Sequence, residues 1–205
     1  MKTKLAPIEN PPGLMMKLAF WLTRKKFGKV MMPLKVIFSR LPPSFSMFVQ
    51  KLDGLEQKYQ LPKYLAVMIR THVAQLNSCG FCIDFGKMEA IKLFADQQEK
   101  FFTLSSYKTS SLFTAPERAA LKFAEELTLN KKISDETFAD AQKYFSEREL
   151  VEISWAVTRE HIYNLMNLAF DIESDGFCQL PVPPVKKDVN IAVQSPTSCF
   201  ETIRY

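Results

Sequence analysis

Glycine is scarce in this chain, with six among 205 residues against seventeen Phe and nine Met. That scarcity argues against a Gly-rich nucleotide-binding fold and against a turn-rich β-sandwich, since both rely on backbone positions that glycine adopts most readily. Long apolar runs are missing as well. The longest fall far short of the ~20 residues that a membrane-spanning helix needs, so no stretch reads as one. Strand signals are poor, because no alternating β-branched run is flanked by Asn-Gly or Gly-Gly. The amino terminus does not read as a secretory leader: Pro7, Glu9, Pro11 and Pro12 stand where its apolar core would be, and Arg24, Lys25 and Lys26 follow the short apolar stretch 18–22 at once. A reducing cytoplasm is therefore the expected compartment, and the four cysteines read as chemistry before scaffolding.

With 47% hydrophobic and 24% charged residues, the composition suits a globular chain and excludes a wholly disordered one. The length allows one domain, or two small ones at most. A net charge of +5 hides an asymmetry: residues 1–72 hold 13 Lys+Arg against 3 Asp+Glu, and the remainder holds 14 against 19. A basic third of this kind can meet nucleic acid, a membrane or an acidic partner. Here Met15, Met16, Phe20, Trp21, Met31, Met32 and Phe38 are interleaved with the charges, which favours packing over phosphate contact. A solvated face, paired with the acidic half or with another subunit, is expected, and neither nucleic acid nor a membrane surface.

Helical periodicity runs through most of the chain. Leu121, Phe123, Ala124, Leu127 and Leu129 recur at helical spacing behind Thr114-Ala-Pro-Glu117, a capping box. Ser146-Glu-Arg-Glu149 is a second one and opens a long segment with Leu150, Ile153, Val157, Ile162 and Leu165, running to about Phe170. Ser134 starts a short helix between them. Pro62 precedes Leu65, Met68, Ile69, Val73 and Leu76, and further helices are expected near 14–26, 33–41 and 45–59. From Pro181 onward an extended tail is expected. The fold class is all-α.

One constellation carries chemistry: Cys79-Gly80-Phe81-Cys82. Two thiols three positions apart at a helix start can close a disulfide with little backbone movement, and the helix amides stabilise a thiolate there. Asn77 and Ser78 can cap, and Ile83, Met88, Ala90, Ile91 and Phe94 resume helical spacing. A thioredoxin reading needs a βαβ context that is absent. A structural zinc site wants four ligands, and Cys178 and Cys199 lie far off without paired spacing, so no metal and no cofactor are expected.

The stretch Val73-Ala-Gln-Leu-Asn-Ser-Cys79-Gly-Phe-Cys82, with Ala90 after it, resembles the carboxymuconolactone decarboxylase/alkylhydroperoxidase AhpD-like superfamily. The likeness continues through Phe113-Thr-Ala-Pro-Glu-Arg-Ala-Ala-Leu-Lys-Phe-Ala124, Ile133-Ser-Asp, Phe145-Ser, Glu149-Leu-Val-Glu-Ile153, Asn164 and Asn167. It implies an AhpD-like helical bundle over 28–177, with a basic extension (1–27) before it and a Pro-containing tail (178–205) after it. It also implies a homo-oligomer, a trimer or hexamer. By the same resemblance the thiol pair reduces a hydroperoxide or disulfide substrate and is re-reduced by a dithiol such as a lipoyl carrier. Cys82 is then the peroxide-facing sulfur and Cys79 the resolving one, whereas the helix-start geometry alone makes Cys79 the more stabilised thiolate.

The chain departs from that pattern at two places. AhpD-like peroxidases carry a glutamate twelve residues before the first cysteine and a histidine four after the second; here those places hold Val67 and Gly86. Candidate substitutes are Arg70, which shares the Val67 face and could lower a thiol pKa, and the two histidines, His72 and His161. His72 reads otherwise as an exposed or interface residue, and Asp84 and Glu89 as solvated charges. The decarboxylase branch is disfavoured, since no histidine-rich pocket is in view. The expected function is thiol–disulfide oxidoreduction with altered hydroperoxide reduction. The alternative is a non-catalytic helical oligomer that senses redox state or binds a partner.

Overall fold

A computed structural model describes residues 3–42 and 44–179. The reading of an extended tail beyond Pro181 lies outside the described residues. Within them the chain is helical throughout, with nine α-helices: α1 (Leu14–Phe27), α2 (Met32–Val36), α3 (Ser44–Glu56), α4 (Lys63–Leu76), α5 (Gly80–Leu93), α6 (Gln98–Phe102), α7 (Ala115–Asn130), α8 (Asp135–Ala141) and α9 (Glu147–Ala169). Short 3₁₀ turns follow at Phe38–Arg40, Ala95–Gln97, Leu104–Ser106 and Phe177–Gln179. None of these helices is long and apolar enough to cross a membrane.

The helix starts follow from local chemistry. Thr114 and Ser146 each accept the backbone N–H three residues on, while Glu117 and Glu149 reach back to the cap N–H, so both capping boxes form. Ser134 caps α8 in the simpler way, through Thr137 N–H. The expected 33–41 helix is shorter: α2 ends at Val36 and a separate 3₁₀ turn carries Phe38 to Arg40.

Helix α4 is the centre of the bundle. Leu65, Val67, Met68, Ile69, Thr71, His72 and Val73 are all buried, so nearly its whole circumference is covered, as a central helix requires. α5, α7 and α9 pack around it. Met68, Ile69, Leu121 and Ile153 meet in the main core with Phe101, Leu104 and Phe113. Each such side chain contributes about 1.5–3 kcal/mol on burial, and truncating Met68 or Ile69 to Ala costs about 2–5 kcal/mol.

A second apolar cluster lies between α2, α5 and the segment after α9. It contains Val36, Ile37, Phe81, Met88, Ile172 and Phe177, together with both Cys79 and Cys82. Phe177 packs on the rings of Phe27, Phe81 and Phe85. Its backbone N–H and that of Cys178 both donate to the Asp84 carboxylate, at 2.8 and 2.7 Å. Asp84 is therefore not a solvated charge: it is 2% exposed and ties the post-α9 segment across α5.

Candidate active site

The two cysteines are set by the turn between α4 and α5. Ser78 takes a left-handed conformation (φ 55), its N–H donates to Gln75 C=O, and the Cys79 N–H donates to Ala74 C=O at 2.9 Å. These two bonds close α4 in a Schellman motif, with Ser where glycine is usual. Cys79 is then extended (φ −82, ψ 93) and serves as the N-cap residue of α5, one turn below Cys82. The expected side-chain cap from Asn77 or Ser78 does not form. Asn77 instead spends its amide across the bundle, donating to Asn164 Oδ1 at 2.9 Å and lying 3.3 Å from His161 Nδ1.

The sulfurs stand 2.7 Å apart. Cys79 is wholly buried, whereas Cys82 reaches a cavity of about 180 Å³. Apolar and aromatic groups line much of that cavity (Met31, Phe38, Val67, Phe81, Phe85, Tyr163) and a polar wall faces them (Arg70, Glu89, Arg159, Glu160, Asn167). The polar wall is a network of buried charge. Arg159 pairs with Asp53 and Glu56, and Arg70 pairs with Glu56 at 3.4 Å and Glu89 at 3.1 Å, which joins α3, α4, α5 and α9. Charges taken so far from water are tolerated only when paired in this way.

The proton inventory of the pair is set by its surroundings. The Cys79 thiol is held below its ordinary value, first because its sulfur accepts the Cys82 thiol and further because it accepts the Cys82 N–H, against the cost of burial. Cys82 is pushed up, because its proton is held toward Cys79 and because burial and the Glu160 charge disfavour a thiolate. Asn167 donates its amide toward both sulfurs, 3.3 Å from Cys82 and 3.9 Å from Cys79, and favours the anion on either.

Known proteins resemble this arrangement at the level of fold. No family model matches the sequence. The chain superposes on the alkylhydroperoxidase AhpD core of a peroxidase-related protein from Ralstonia eutropha JMP134 with a TM-score of 0.68, covering 88% of this chain and 100% of that one at 17% identity. The chain has the AhpD-like fold. A variant of the debrominase Bmp8 in complex with 2,3,4-tribromopyrrole shares it, with a TM-score of 0.73 over 87% of this chain and 95% of that one at 18% identity. In sequence, the uncharacterized protein YnjA of Escherichia coli K12 is 25% identical over 179 residues, 86% of this chain and 97% of its own.

Both departures from the AhpD-like pattern lie beside Cys82. Val67 and Gly86 line its cavity. An atom added at Gly86 in the Cβ position would stand 3.1 Å from Thr71 Cβ and 3.2 Å from Thr71 Cγ2, so Thr71 fills the place from which the family's histidine would start. Of the candidate substitutes, Arg70 reaches the cavity, as a mostly buried ion pair rather than a surface one. Glu89 is likewise no solvated charge, being Arg70's partner. His72 is not brought to the sulfurs. It is 3% exposed rather than open to solvent, edge-on to Tyr107 and 3.8 Å from Glu125, because α7 covers that side of α4. His161 does not line the cavity; it is lowered by burial and by Lys131, and it touches the site only through Asn77. Two residues that sequence reasoning did not place at the site are there: Asn167, noted only as part of the resemblance, and Glu160. The spacing Glu160-x₃-Asn164-x₂-Asn167 puts all three on one helix face, which is the signal that could have found them.

Proposed function

We propose that the chain is a thiol–disulfide oxidoreductase that reduces small apolar hydroperoxides, with Cys82 as the attacking sulfur and Cys79 as the resolving one. The observation that carries this reading is that Cys82 opens on a largely apolar cavity while Cys79 lies 2.7 Å behind it, out of the substrate's reach. The Cys82 sulfur takes the terminal peroxide oxygen, the O–O bond breaks and an alcohol leaves. Cys79 then attacks the resulting sulfenic sulfur, the S–O bond breaks, water leaves and a disulfide forms. An external dithiol returns the pair to its reduced state. A cavity of about 180 Å³ suits a substrate with one ring or a short alkyl chain, and its Phe and Tyr walls favour an organic peroxide over hydrogen peroxide.

The test is turnover of cumene hydroperoxide with dithiothreitol or dihydrolipoamide as reductant. The reading expects turnover that Cys82→Ser abolishes. Equal turnover by Cys82→Ser would remove it.

A second reading is favoured by the aromatic lining together with the fold shared with a debrominase. The same two thiols would supply two electrons to a small bromoaromatic, exchanging bromine for hydrogen and releasing bromide as the disulfide closes. Substituting 2,3,4-tribromopyrrole for the hydroperoxide in the same assay separates the two: bromide release without peroxide consumption selects the second.

A further inference from the structure

If Cys82 attacks, its proton must leave first and a proton must later reach the departing oxygen. Neither residue that serves this purpose in the AhpD-like pattern is present, since Val67 and Gly86 stand in their places. The cavity nevertheless holds a carboxylate. Glu160, from α9, is 5% exposed, lines the same cavity as Cys82 and is close enough for its charge to bear on the Cys82 thiol. Asn164 holds it from the same helix, donating Nδ2 to Oε1 at 2.6 Å, and Asn164 is itself fixed by Asn77 from the turn that carries Cys79. One amide chain therefore orients both the carboxylate and the thiol turn.

The charges around Glu160 are largely committed elsewhere. Arg70 of α4 pairs with Glu56 and Glu89, and Arg159 of α9 pairs with Asp53 and Glu56. Cys79 and Cys82 face it from α5, and Tyr163 from its own helix. Burial raises Glu160 above the ordinary carboxylate range, against the pull of Arg70. A carboxylate so placed holds a proton more readily than an exposed one, which brings it closer to a thiol in basicity.

We infer that Glu160 is the general base and acid of the thiol pair, doing from the last helix the work that the AhpD-like pattern assigns to a residue of α4. This rests on the reading of Cys82 as the attacking sulfur. The Glu160 carboxylate takes the Cys82 thiol proton as the sulfur bonds to the terminal peroxide oxygen. The O–O bond breaks, the alkoxide takes the proton from Glu160 and leaves as alcohol, and the carboxylate is restored. Sulfur has lost two electrons and the peroxide has gained them. Cys79 then displaces hydroxide from the sulfenic sulfur, and the hydroxide takes a proton from solvent and leaves as water.

Glu160→Gln separates this role from a merely electrostatic one, because the two readouts move in opposite directions. Loss of a negative charge facing the thiol makes Cys82 more acidic, so alkylation of Cys82 by iodoacetamide in a Cys79→Ser background should set in at lower pH. Hydroperoxide turnover with both cysteines present should nonetheless fall, by about 10²-fold or more. Turnover that holds or rises as the thiol becomes more acidic would overturn the assignment, since Glu160 would then be only a charge that keeps Cys82 protonated. Should Glu160→Gln not fold, Glu160→Asp keeps the charge and withdraws the arm; it should leave the titration in place and lower turnover at least about tenfold, and parental turnover would overturn the assignment. Parental turnover in a Glu160 variant, with Cys82→Ser inactive, sinks only the role of Glu160. Turnover by Cys82→Ser sinks the redox reading itself.

Discussion

Gly86→Ala should destabilise this protein, although glycine in a helix interior is ordinarily the weaker choice. Replacing it by alanine usually gains about 0.5–1 kcal/mol. Here the new methyl would collide first with the Thr71 hydroxyl oxygen and would lie 3.1 and 3.2 Å from two Thr71 carbons, inside the ~3.5–4.0 Å at which carbon atoms rest. Thr71 has little room to yield: it is 1% exposed, and its hydroxyl donates to the Val67 carbonyl at 2.8 Å. Overpacking of this kind costs about 1–3 kcal/mol, which leaves a net loss of up to about 2.5 kcal/mol after the propensity gain. Thr71→Ala removes the hydroxyl and the methyl but leaves Cβ at 3.1 Å, so in that background the same substitution should be close to neutral. Urea unfolding of the four proteins measures the coupling, expected at about 1–2.5 kcal/mol, and each kcal/mol should also move Tm by about 2–4 °C. A coupling near zero would refute the argument that Thr71 occupies the place of the family's histidine side chain.

Further expectations concern the pair and its supports. Asn167→Ala removes the amide that favours the anion on both sulfurs, and should slow iodoacetamide alkylation at neutral pH by about tenfold, the value of a hydrogen bond to a charged group; an unchanged rate would show that the amide does not act on the thiols. Asp84→Ala strands the buried N–H groups of Phe177 and Cys178, at about 1–3 kcal/mol each, and hydrogen exchange at those two amides should quicken. Glu125 is held down to about 2, first by His72 beside it at 3.8 Å and then by its hydrogen bonds from Lys108 and Tyr107, against burial. A carboxylate depressed in this way contributes stability that is complete above its ordinary 4.5 and lost as the pH falls through about 2. Glu125→Gln should flatten that acid limb, and a limb of unchanged slope would contradict the pairing.

What the sequence made legible is what local chemistry decides. Thr114 with Glu117, and Ser146 with Glu149, specify helix starts within four residues, and both caps form as the pattern requires. The Cys79–Cys82 spacing fixes the two sulfurs on one turn of α5 in the same local way. The rest of the site comes from partners far along the chain. Glu160 faces Cys82 only because α9 packs against α4 and α5; its spacing with Asn164 and Asn167 marks a polar face on α9 without saying what that face meets. Asp84 was illegible for the same reason, since its two donors belong to the segment beyond α9. Misreading Asn77 as a cap has a related cause: its amide had a local use in view and a tertiary one, to Asn164, that prevailed.

The central claim is that Cys82 meets the oxidant and Cys79 closes on it from behind. One measurement tests it directly: add one equivalent of cumene hydroperoxide to the native protein and to Cys79→Ser, trap with dimedone and alkylate under denaturing conditions, and map the peptides by mass spectrometry. The account predicts a Cys79–Cys82 disulfide in the native chain and a dimedone adduct on Cys82 in Cys79→Ser. Two free thiols in the native chain, or no adduct on Cys82 once Cys79 is gone, would contradict it.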